Sequence, residues 1–185
     1  MNNKFIRTQF DGMTSEVHEW DCLNFAVAYT EEFRKKENEK TIVRSYINAM
    51  RNLYDSLKKD NHPTDGIMVF KNNDLCYPFL FMCRHSIELS LKFFLENNGN
   101  NGNKVISGHN LKKLWDKLNL NKYQENDEYN QLINLFEILD DDGTKLRYIK
   151  DKNGKEIFKQ LYFIKSDLIL QTTTNLCTQL LNDVN

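Results

Sequence analysis

Arg84, Glu88 and Lys92 stand at i, i+4 and i+8 in the stretch Tyr77–Leu95, and His85 sits beside the first of them. Helical spacing stacks the three on one face. An Arg offers a planar fork for phosphate oxygens, a His moves protons near neutral pH, and a Glu with a Lys can orient both. The same spacing also describes a ladder of ions that neutralise each other inside a bundle. His109 is the second candidate. It immediately precedes Asn110, a plausible helix N-cap, so it stands beside a helix N-terminus that attracts anions. The plainer alternative is a loop histidine bonded to backbone. The third candidate is basic. Lys145, Arg147, Lys150, Lys152, Lys155 and Lys159 outnumber Asp151 and Glu156, with Tyr148 and Phe158 interleaved. That mixture suits RNA phosphates and bases, and it equally describes a solvated hairpin.

These groups need elements to hold them. The stretch Tyr77–Leu95 is apolar on most sides, through Phe79, Leu80, Met82, Cys83, Ile87, Leu91, Phe94 and Leu95, and Pro78 fits a first helical turn. A helix apolar nearly all round belongs at the centre of a bundle. A charged stripe on it must be paired, or must line a cavity or an interface. Before it, residues 1–13 read as a loosely docked lead-in. A helix capped by Thr14 or Ser15 runs to about Lys36. RKKENEK reads as a break, and Thr41 caps a helix to about Lys59 with Val43, Ile47, Met50, Tyr54 and Leu57 inward.

After the central helix, NNGNNGN at 97–103 is a loop. A short helix from Asn110 carries Leu111, Leu114, Trp115 and Leu118. A long one over about 126–140 carries Tyr129, Leu132, Ile133, Phe136 and Leu139, and ends at Asp140, Asp141, Asp142 and Gly143. TKLRYIKDKNGKEIF predicts two short strands around an Asp-Lys-Asn-Gly turn. A last helix, about 160–183, carries Ile164, Leu168, Ile169, Leu176 and Leu180. The expectation is one all-α domain over 1–185, an antiparallel bundle of four to five main helices with a short β-hairpin near 144–158.

The whole chain narrows the classes. It has 185 residues and a formal net charge of −1, which suits one domain and argues against a nonspecific nucleic-acid coat. The cysteines Cys22, Cys76, Cys83 and Cys177 form no CxxC and no zinc-site spacing with His, so they read as reduced core residues of a cytoplasmic protein. No metal or cofactor is expected. Met1–Gly12 lacks the apolar core of a secretion signal, and no run suits a membrane span. There is no P-loop, GxGxxG, HExxH or GxSxG. DDD at 140–142 more readily ends a helix than binds a divalent ion.

RHSIELSLKFFLE followed by GHNLKKLW resembles the HEPN superfamily of small helical bundles, frequent in toxin–antitoxin and antiviral systems. The E-x-x-x-K pattern falls on Glu88 and Lys92, and the H-[DN]-L helix start on His109, Asn110 and Leu111. LRYIKDKNGKEIF is similar to a further segment of one HEPN subgroup. The resemblance covers about 75–160. It implies a homodimer with a cleft between protomers and, in many members, metal-independent RNA cleavage, in which an Arg steadies the scissile phosphate and a His moves protons at the ribose 2′-hydroxyl.

In that family's usual motif the His follows farther along from the Arg. Here Leu89, Ser90 and Leu91 occupy the positions expected for it after Arg84. One expectation is therefore an RNase-type effector of prokaryotic stress or antiphage defence. Arg84, His85 and His109 would be catalytic, and Glu88, Lys92, Asn110, Arg147, Tyr148 and Lys150 would bind RNA. The other is a noncatalytic module for dimerisation and for binding a nucleotide or a protein, such as an antitoxin or defence partner. In both, Arg84, Glu88, His109 and Arg147 are expected around one pocket, and in the catalytic version Arg84→Ala and His109→Ala are each expected to abolish cleavage while the fold survives.

Overall fold

A computed structural model describes residues 36–61, 67–69, 75–98, 106–118, 120–148, 150, 153–157 and 163–184. All of them fall in the unit Arg34–Asn185. The expected helix from Thr14 or Ser15, the lead-in 1–13, and most of the loop at 97–103 lie outside the described residues.

Six helices hold most of the described chain: α1 (Lys36–Asn61), α2 (Cys76–Asn98), α3 (Leu111–Leu118), α4 (Asn121–Gln124), α5 (Asp127–Asp140) and α6 (Ser166–Asn182). Two three-residue strands, β1 (Ile67–Val69) and β2 (Phe163–Lys165), pair antiparallel with Met68 opposite Ile164. Helix α2 is central, packed by α1, α3 and α6, while α5 packs on α3 and α6. The reason is its surface: Phe79, Leu80, Cys83, Ile87, Leu91, Phe93 and Phe94 leave few exposed sides, and all are buried. Pro78 lies in its first turn, as its missing amide allows.

The periodic positions bury as their spacing predicts. Val43, Ile47, Met50, Tyr54 and Leu57 of α1 are buried, as are Tyr129, Leu132, Ile133, Phe136 and Leu139 of α5. Asn110 caps α3, its Oδ1 accepting from the Lys113 amide at 2.8 Å. Asn126 caps α5, its Oδ1 accepting from the amides of Glu128 and Tyr129. Cys76, Cys83 and Cys177 are buried. Burial pushes the Cys177 thiol up to about 12.

Four expectations are corrected. Thr41 is not a cap: α1 is already helical at Lys36, because Lys and Glu are good helix formers. The last helix does not begin near 160. Phe163 and Ile164, an aromatic and a β-branched residue, lie in β2, and the helix starts at Ser166. Leu168 does not point inward; it is 46% exposed, one residue off the buried face that Ile169 and Leu176 define. The hairpin at 144–158 is reduced, among the described residues, to one bridge between Lys150 and Glu156. Gly154 takes φ 77° at its turn, where a glycine meets no steric penalty. Among the described residues no helix is long and apolar enough to cross a membrane.

Candidate functional site

The charged stripe is buried where α2 meets the loop before α3 and the turn after α5. Arg84 is 1% exposed. Its Nη1 donates to Glu88 Oε2 at 2.8 Å, its Nε to the Asp140 carbonyl at 2.8 Å, and its Nη2 to the His109 carbonyl. Asp140 adds a carboxylate, with Oδ2 3.4 Å from Arg84 Nε. Asp140 is itself buried, and its Oδ1 accepts from the Lys145 amide. A buried guanidinium survives because carboxylates and carbonyls face its edges.

Glu88 is the hub. One oxygen takes Arg84, and the other, Oε1, takes Lys92 Nζ and His109 Nδ1, each at 2.8 Å. Burial would raise its carboxyl, but the bonds from Lys92, Arg84 and His109 outweigh that and hold it below the ordinary range. An ionised carboxylate only accepts, so Nδ1 of His109 carries the proton of this bond. The imidazole is otherwise open, with its side chain 68% exposed. This arrangement fixes one histidine tautomer and leaves the far side of the ring exposed.

The turn after α5 closes the back of the cluster. Gly143 has φ 82°, and a Cβ there would lie 3.0 Å from Arg84 Nη1. Only glycine combines that conformation with so close an approach. The Gly143 carbonyl then accepts from Arg147 Nε at 2.8 Å. The three aspartates are all engaged. Asp141 pairs with Lys145 at 2.9 Å, and Asp142 accepts from the amide and hydroxyl of Thr144. They end the helix, as expected, and hold the turn.

His85 leaves the stripe. One residue on from Arg84, it turns to a different side of α2 and stacks on Phe81, centroids 5.5 Å apart and planes 8° apart. Tyr46 meets it edge-on at 4.8 Å. Burial lowers its basicity. Glu88 opposes that effect, while Arg84, Lys92 and Arg147 add to it, and the net shift is downward.

The candidates thus divide. Arg84, Glu88, Lys92 and His109 are in direct contact, and Arg147 joins them through Gly143. Asn110 follows His109 but uses its side chain to cap α3 and to approach Glu137 at 3.5 Å. The guanidinium of Arg147 also lies over the Phe81 and Tyr148 rings, 5.7 Å from each centroid. Lys150 is exposed beside its bridge to Glu156, with no bond to the cluster.

Asp140, Gly143, Phe81 and Tyr46 went unread in the sequence. Asp140 and Gly143 carried a signal, the DDDG helix stop, but not its target 56 residues away. Comparison with family models, with curated proteins and with solved structures finds no match to the chain.

Proposed function

We propose that this chain is a HEPN-like, RNA-directed domain whose working group is His109, acting in prokaryotic stress or antiphage defence. The observation that carries the reading is the 2.8 Å bond from His109 Nδ1 to a buried Glu88, on an imidazole 68% exposed. The chemistry is metal-independent transesterification. His109 Nε2 takes the ribose 2′-hydroxyl proton, the 2′ oxygen bonds to phosphorus, and the P–O5′ bond breaks. The products are a 2′,3′-cyclic phosphate and a 5′-hydroxyl, with the proton passed to the leaving oxygen. Arg147 and the partly open Lys92, 19% exposed, meet the phosphate. Arg84 takes a different role from the one the resemblance assigns to such an Arg: it holds Glu88 and His109 in place. The sequence resemblance further supports a homodimer, and the buried cysteines suit a cytoplasmic setting.

Labelled single-stranded RNA incubated with the chain in EDTA tests this. Cleavage leaving cyclic phosphate ends, lost in His109→Ala and weakened in Glu88→Gln, is the expected result. Intact RNA with wild type sinks the catalytic reading.

The second reading is a noncatalytic module that dimerises and binds a nucleotide or a partner protein. What favours it is Arg84, each of whose three nitrogens donates to an acceptor inside the fold. It predicts inert wild type with a dimer mass in light scattering and measurable nucleotide binding; a monomer that binds no nucleotide excludes it.

A further inference from the structure

Beside the His109 cluster runs a continuous pile of flat groups. It starts with three half-buried rings, Tyr46 edge-on to His85 and His85 stacked on Phe81. The Arg147 guanidinium lies over Phe81, with its carbon 5.7 Å from the centroid. Tyr148 is next, its ring centroid at the same 5.7 Å from that carbon, and the residue is 58% exposed. The pile therefore ends at the surface with an exposed aromatic residue.

A single exposed tyrosine is ordinary. This one is backed by a fixed cation. Arg147 Nε is held by the Gly143 carbonyl, which fastens the pile to the turn that closes on Arg84. Arg147 is exposed, and its Nη1 and Nη2 can donate to a phosphate of the same strand. An aromatic face, a cation beside it and a histidine-bearing cluster linked through one turn form a stacking platform next to a phosphate contact.

We infer that Tyr148 and Arg147 bind an unpaired nucleobase and its phosphate, which makes single-stranded RNA the substrate class of this site. The inference rests on the RNA-directed reading above. In an A-form duplex every base face is already covered by its neighbours, so no face is free to lie on Tyr148. Stacking on an aromatic ring is tolerant of base identity, so the platform selects strandedness and not sequence.

Fluorescence anisotropy with a labelled oligoribonucleotide, single-stranded or annealed to its complement, tests this. A His109→Ala background keeps the strand uncut. The single strand should bind about tenfold or more tighter than the duplex. Tyr148→Ala should weaken single-strand binding by about 5- to 150-fold, the equivalent of losing one stacked base. Tyr148→Phe, which keeps the ring, should bind as tightly as the parent. Circular dichroism of the exposed-site variants checks the fold. If the parent binds RNA but Tyr148→Ala binds equally well, or the duplex competes equally, the platform is overturned and the RNA-directed reading stands. If the parent binds neither form, both fall.

Discussion

Replacing Arg84 by alanine removes the one cation that faces two buried carboxylates. Glu88 keeps Lys92 and His109. Asp140 keeps only the Lys145 amide on Oδ1, while its Oδ2 loses the guanidinium 3.4 Å away and has no hydrogen bond to replace it. The carbonyls of Asp140 and His109 lose their donors too. Breaking a buried pair by deleting one partner costs about 3–5 kcal/mol. Arg84 is also among the largest fully buried side chains, so its removal leaves a void in the same place. For a chain of this size each kcal/mol lowers Tm by about 2–4 °C, which gives a fall of about 6–20 °C. Thermal melting followed by circular dichroism at neutral pH reads it directly. A companion variant locates the cost. Asp140→Asn removes the orphaned charge, so the double variant should melt higher than the sum of the single changes requires. A Tm within about 2 °C of wild type for Arg84→Ala would refute the reasoning, since it would mean that the network carries little stability.

Gly143→Ala should also lower Tm. A non-glycine residue in the left-handed region costs about 1–2 kcal/mol, and the new Cβ would press a guanidinium that three acceptors hold in place. An unchanged Tm would show that the turn can move away. His85 sets an acid-side slope. Its folded pKa lies below the unfolded value of about 6.5, so the unfolded chain takes up the proton first as pH falls. Stability should therefore drop from about pH 7 downward until the folded pKa is passed. His85→Phe, which preserves the ring stack, should flatten that slope in urea titrations, and an equal slope in both proteins would remove His85 as its source.

What could be read in the sequence was local. Asn110 shows its cap because the bond it makes reaches only three residues. The Arg84–Glu88–Lys92 ladder follows from one helix's own geometry. His109 beside α2 was legible as a returning loop, although its grip on Glu88 was not. What could not be read spans the chain. The guanidinium of Arg84 reaches the Asp140 carbonyl across 56 residues. β1 and β2 join segments nearly a hundred residues apart through three residues each, too short a pattern to stand out from loop. Leu168 failed for a finer reason: a helix face is set to within one residue, and counting four on from Ile164 assumed helix where the chain is strand.

His109 is gripped at both ends, its carbonyl by Arg84 and its Nδ1 by Glu88, and those two side chains are bonded to each other. Ordering one residue's backbone costs about 1–2 kcal/mol of conformational entropy, and a mobile ring adds to it. Here that loss is met once, when the chain folds, and shared by a closed triangle of bonds. A molecule arriving at the imidazole finds the ring already aimed, so the entropy of aiming it is absent from the binding step. The surface histidine thus has a core residue's immobility with a surface residue's access.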